Sequence, residues 1–209
     1  MATTTLFVEI IIIGAQGAIW LFIIFSSFMD LPNSFDLLGV DFAVLAIPII
    51  ALLYTLGIII DRVSDNIGFK ALEYTIRDRV MHKIAGEYSK NVIKENIHIS
   101  WTPIRRFILS TPQQEGLLFD YYRHRIRIMR SSALNFLLTA IGLLIFLLRQ
   151  NPLYYSIVLF GIIISILLCC LCAFAWWRLV LSWSRLACRG YIDYLKHNDK
   201  NKERNKRNE

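Results

Sequence analysis

The stretch "LLYTLGIIIDRVSDNIG", residues 52–68, decides the fold. It passes from apolar residues into Asp61, Arg62 and Asp65 with no proline between, and no glycine follows the first charge until Gly68. A helix ending at the edge of an apolar phase carries a stop signal there, usually glycine or proline. None is present. The stretch therefore predicts one helix that leaves the apolar phase and continues as a charged stalk. Tyr54, Ile58, Asp61 and Asp65 share a face of it, and Arg62 is positioned to pair with Asp65 or Asn66.

The rest of the chain agrees. Its 209 residues are 56% hydrophobic, and its mean hydropathy is +0.48. That exceeds the content of an ordinary soluble domain, where about 45–50% of residues are apolar. Four runs carry the excess: Leu6–Phe28, Phe42–Ile60, Ala133–Leu148 and Leu153–Trp177. About 20 helical residues cross a hydrocarbon core of about 30 Å. The third run is short, but Ile126 and Ile128 extend it while Arg127 and Arg130 reach back to the surface. The fold class expected is an all-α integral membrane protein. Four transmembrane helices are predicted, the inner ones extended into a cytoplasmic stalk.

Lys and Arg set the orientation. Met29–Asp41 contains neither, whereas Asp61–Ser132 contains thirteen and the tail from Arg178 contains nine. Both termini are expected in the cytoplasm of a bacterial inner membrane, with the first run as a retained signal-anchor. The expected division is a first transmembrane hairpin (1–60), a cytoplasmic helical loop (61–132), a second hairpin (133–177), a helix extension (178–195) and a disordered charged tail (196–209). In the loop, Phe69, Leu72, Ile76, Val80 and Ile84 recur at helical spacing, a break surrounds Pro103 and Pro112, and a third long helix starts near Gln113. Leu117, Leu118, Tyr121, Ile128 and Met129 give that helix an apolar face, as Val180, Ser184, Ala187, Tyr191 and Tyr194 do for the fourth. The net charge of +7 reflects the inward bias of basic residues and does not by itself imply nucleic acid.

Inside lipid, close packing and hydrogen bonds hold helices together. Glu9, Gln16 and Trp20 form a polar side of the first span, expected to be a pore or assembly face. Ser132, Asn135, Thr139 and Gly142 form a stripe in the third, and Gly161, Ser165, Cys169 and Cys172 a small-residue seam in the fourth. Asp61, Arg62 and Asp65 are expected to form a charge network at the membrane boundary rather than a metal site. No cofactor or metal motif is present, and the phosphate-loop, hydrolase-elbow and zinc-protease signatures are missing.

In "RDRVMH", Arg77 is followed by Asp78 and then His82. The pattern resembles the Arg–polar–three spacers–His signature of HEPN ribonucleases, which implies Arg77 and His82 acting on RNA at a dimer interface. A solvated helix face is the competing reading. "VEIIIIGAQGAIW", "YTLGIIIDRVSDNIG" and "RHRIRIMRSSALN" together resemble small four-span bacterial membrane proteins found beside phage-defence modules, such as those of type VI-B CRISPR loci. That resemblance implies a membrane accessory or effector working with a soluble defence partner. Three functions follow: an oligomeric membrane effector that alters permeability, a membrane-tethered ribonuclease or RNA binder, and a scaffold for a soluble partner.

Overall fold

The computed structural model describes residues 2–28, 42–92, 101–110, 113–150 and 155–208, and all of these are helical. In chain order the helices are α1 (Ala2–Phe28), α2 (Phe42–Ser64), α3 (Lys70–Val92), α4 (Trp101–Ser110), α5 (Gln113–Gln150) and α6 (Tyr155–Asn208), with a π-helical turn at Asp65–Phe69 joining α2 to α3. Four helices are long and apolar enough to span a membrane, in the segments Leu6–Phe28, Ala46–Ile67, Leu118–Arg149 and Tyr155–His197. The expected linker around Asn33 lies outside the described residues.

The stretch at residues 52–68 behaves as its missing stop signal predicts. Helix continues from α2 through Asp61 and Asp65 into α3. The π turn itself has no forerunner in the sequence. It places an additional residue in one turn, so the periodicity before Asp65 is out of step with that after Phe69.

The chain divides into two compact units: residues 1–69 with 126–176, and residues 70–125 with 177–209. These units cross the expected hairpin boundaries at 60/61 and 132/133. Asp61, Asp65, Arg127 and Arg130 pair with one another, so the charged collar belongs to the spans it flanks.

In the first unit, α1 and α2 approach to backbone contact. A Cβ on Gly14 would overlap the Leu53 carbonyl, and one on Gly57 would overlap the Ile10 carbonyl. Ile13, Ile60 and Leu134 form the adjoining core, with Leu56 and Leu138 packed on it. Phe69 meets Trp176 edge-on at 5.0 Å. Outward positions of α6 such as Phe160, Ile163 and Leu167 are more than half exposed, as residues facing lipid tails are.

In the second unit, Met81, Ile104, Phe119, Ala187 and Cys188 form the core. The face expected on α6 is present in part: Val180, Ser184 and Ala187 are fully buried, whereas Tyr194 is exposed. On α5 the expected face is corrected, because Leu118 and Tyr121 are exposed and Phe119 and Ile126 are buried instead. On α3, Val80 is buried but Leu72 is exposed. The break around Pro103 is also corrected. It contains α4, since proline in a first turn lacks only an N–H that would have no intrahelical partner.

The tail expected to be disordered is likewise corrected. Helix α6 runs to Asn208. After Gly190 the sequence holds neither Gly nor Pro to stop a helix, and its Lys and Arg are good helix formers.

Candidate functional site

The first constellation lies where α2 passes into the π turn. Arg130 of α5 donates from Nη1 to Asp65 Oδ1 at 2.5 Å and from Nη2 to Asp61 Oδ1 at 3.2 Å. Arg127 Nε stands 3.5 Å from Asp61 Oδ2. Ser131 donates to Asp61 Oδ1 at 3.5 Å and shares a hydrogen bond of 3.1 Å with Ser64, both serines being fully buried. A guanidinium supplies a planar fork of donors, so one arginine can bridge two carboxylates a helical turn apart.

Asp61 and Asp65 are therefore network residues as the sequence predicts, but Arg62 is not. It is exposed and forms no ion pair among the described residues. Arg130 also occupies the space between the carboxylates that a metal ion would need. Among the described residues, no three His, Cys, Asp or Glu side chains cluster in a metal-binding arrangement.

The second constellation is the seam between α1 and α5. Ser132 donates to Gln16 Oε1 at 2.9 Å, and Trp20 Nε1 donates to Asn135 Oδ1 at 3.1 Å. Asn135 Nδ2 donates to the Ile13 carbonyl at 3.0 Å and approaches Gln16 Oε1 at 3.4 Å. Thr139 caps the Asn135 carbonyl within α5, and Gly142 lets the Ile23–Ile24 region of α1 come close.

The side chains of the expected pore or assembly face have partners within the chain. Gln16 and Trp20 are hydrogen-bonded to α5 of the same chain, and Glu9 is buried at 6% exposure. The stripe on α5 supplies partners at the spacing the α1 side chains require, so those groups need no shared lumen. The α6 seam follows the same logic. Gly161 faces Leu143 of α5, and Ser165 is buried, while Cys169 is only half-buried.

The third constellation surrounds Arg77. Its guanidinium lies over two indole rings, 5.1 Å from the Trp101 centroid and 4.5 Å from that of Trp183, and it pairs with Glu73 one turn back. Burial lowers its pKa from the usual arginine value, opposed by the Glu73 carboxylate. His82 is elsewhere. Its side chain is 72% exposed and stands 3.6 Å from Asp78. Five residues on a helix turn through roughly 500°, so Arg77 and His82 leave α3 in directions about 140° apart. Within one chain the two do not converge: Arg77 lies against Trp101 and Trp183, and His82 faces solvent.

Sequence reasoning missed Arg130, Gly57 and the Trp101–Trp183 box. Gly57 stands in the opening stretch, and its signal was the small-xxx-small partner that Gly14 requires. The chain matches no protein-family model, and neither curated proteins nor solved structures show significant similarity to it.

Proposed function

We propose that this chain is a non-enzymatic membrane accessory protein that holds a soluble partner at the cytoplasmic face of a bacterial inner membrane. The observation that carries this reading is the closed polar seam. Gln16, Trp20, Ser132 and Asn135 satisfy one another inside a single chain, which leaves α1 without an unmatched polar face for a pore lining. Buried polar residues in a span generally mark either a pathway or a packing contact. Here every member of the seam has a partner, which favours packing.

The extramembrane unit supplies the second half of the proposal. Helices α5 and α6 run without interruption from apolar runs into that unit, so a load on it would be carried by continuous helix. The resemblance to membrane proteins of phage-defence modules points to a soluble defence protein as the partner. The charge bias points to the cytoplasm as the side on which it binds.

The test is reconstitution of the purified chain into liposomes loaded with a self-quenching dye, beside photocrosslinking in cells. Wild type should leave the liposomes sealed. A photoreactive residue at exposed Tyr74 should form discrete protein adducts, and one at exposed Phe160 should not. Dye release by wild type that Gln16→Leu abolishes would instead return the pore reading.

A further inference from the structure

Within the unit of residues 70–125 and 177–209, helices α3 and α6 enclose a groove of about 510 Å³. Two rows of cations line it. Arg79 and Lys83 stand one turn apart on α3, and Arg185 and Arg189 stand one turn apart on α6. Among the described residues, no carboxylate lines the groove. Among the described residues, none of these cations takes part in an ion pair.

Packing does not account for this arrangement. Like charges at i and i+4 repel one another along each helix, and the two rows repel across the groove. An anion seated between them would remove both penalties, and arginine holds phosphate oxygens in a bidentate fork.

The floor narrows the class of anion. Val80 is buried, and Leu181 and Trp177 present further apolar surface between the rows. A small inorganic anion would leave that floor uncovered. A single RNA strand needs several aromatic platforms for its bases, whereas among the described residues Trp177 is the sole aromatic one lining this groove. Trp177 is also the last residue of the fourth apolar run on the unbroken helix α6. Tryptophan concentrates at that boundary, and basic pockets beside spanning helices hold acidic lipid headgroups.

We propose that the groove binds one anionic phospholipid. The phosphate sits between the Arg79–Lys83 and Arg185–Arg189 rows, and the adjoining part of the acyl chains covers Leu181 and Trp177. The proposal does not depend on the scaffold reading, since a lipid site serves a pore or a tethered enzyme equally well.

Native mass spectrometry of the full chain in neutral detergent tests it, with dioleoyl-phosphatidylglycerol and dioleoyl-phosphatidylcholine as probes. The glycerol lipid should be retained in preference to the choline lipid. Each of Lys83→Gln and Arg185→Gln should weaken its binding about fivefold, the value of one cation near an anionic headgroup. Arg178→Gln, outside the groove, should leave it unchanged. Equal retention of both lipids would overturn the proposal, as would unaltered binding in both groove variants. Displacement by inorganic phosphate at equal concentration would make the site one for free anions, and displacement by a single-stranded RNA oligonucleotide would make it one for RNA; either overturns the lipid assignment.

Discussion

Arg130 and Asp65, 65 residues apart in sequence, meet at 2.5 Å, and the arginine side chain is only 9% exposed. The contact fastens α5 to the chain at the first residue of the π turn. It makes that turn a fixed point rather than a frayed end.

Removing one partner from a buried ion pair strands the other charge and costs about 3–5 kcal/mol. Arg130→Ala should therefore be the most damaging change in the collar, read as the apparent unfolding temperature in detergent. Asp61→Asn should follow, since Asp61 is 17% exposed and also meets Arg127 and Ser131. Asp65→Asn should be milder, because Asp65 is 37% exposed and meets Arg130 alone. Arg62→Ala should stay within about 0.5 kcal/mol of wild type, as surface substitutions do. A loss for Arg62→Ala equal to that for Arg130→Ala would refute this assignment of the cation.

Asn135→Leu should uncouple α1 from α5 by removing the partners of Trp20 Nε1 and the Ile13 carbonyl. Hydrogen bonds between membrane helices are worth about 0.6 kcal/mol on average and up to about 1.7. A double-mutant cycle of Asn135→Leu with Trp20→Phe should return a coupling energy in that range. Strict additivity would mean that the indole–amide bond contributes nothing.

Two glycines should respond in opposite directions to the same substitution. Gly57→Ala forces a Cβ into the Ile10 carbonyl, so α1 and α2 must separate, whereas a Cβ on Gly86 meets nothing within 4 Å. Gly86→Ala should stabilise α3 by about 0.5–1 kcal/mol, because alanine loses less backbone entropy in a helix. Differential scanning fluorimetry in one detergent compares both. A stabilised Gly57→Ala would mean that the helices are not in backbone contact.

Arg77→Lys should destabilise the unit of residues 70–125 and 177–209 by about 1 kcal/mol, since an ammonium cannot stack flat between two indoles. His82→Ala should be neutral in stability and in any cellular effect, because the imidazole is largely solvated. RNA cleavage by the purified chain that both variants abolish would restore the joint Arg77–His82 site.

Much of this fold was legible because its signals are local. Apolar run length marked the four spans, the missing stop after Ile60 marked the continuous helix, and Ser132, Asn135, Thr139 and Gly142 marked the α5 seam. The partner of Asp61 and Asp65 was not legible. Thirteen Lys and Arg lie between Asp61 and Ser132, and local spacing favours Arg62, while the arginine that meets both carboxylates is distant in the chain. The π turn at "DNIGF" has no distinguishing residue pattern, and Pro103 conceals α4 because proline reads as a break unless its place in the first turn is known. The polar side of α1 was legible as a face, but its partners on α5 were not, because a single helix does not reveal what covers it.

Whether this face is sealed within one chain is tested most directly by a cysteine pair. With the four native cysteines replaced by alanine, Gln16→Cys and Ser132→Cys are introduced together at positions whose side chains now meet at 2.9 Å. The membranes are then treated with a short bifunctional thiol reagent. The closed seam predicts a cross-link within one chain, seen as protection from further thiol labelling with no change in mass class on a denaturing gel. Cross-linked dimers, or free labelling of the thiol introduced in place of Gln16 by a membrane-impermeant reagent, would contradict it and return the face to a shared aqueous pore.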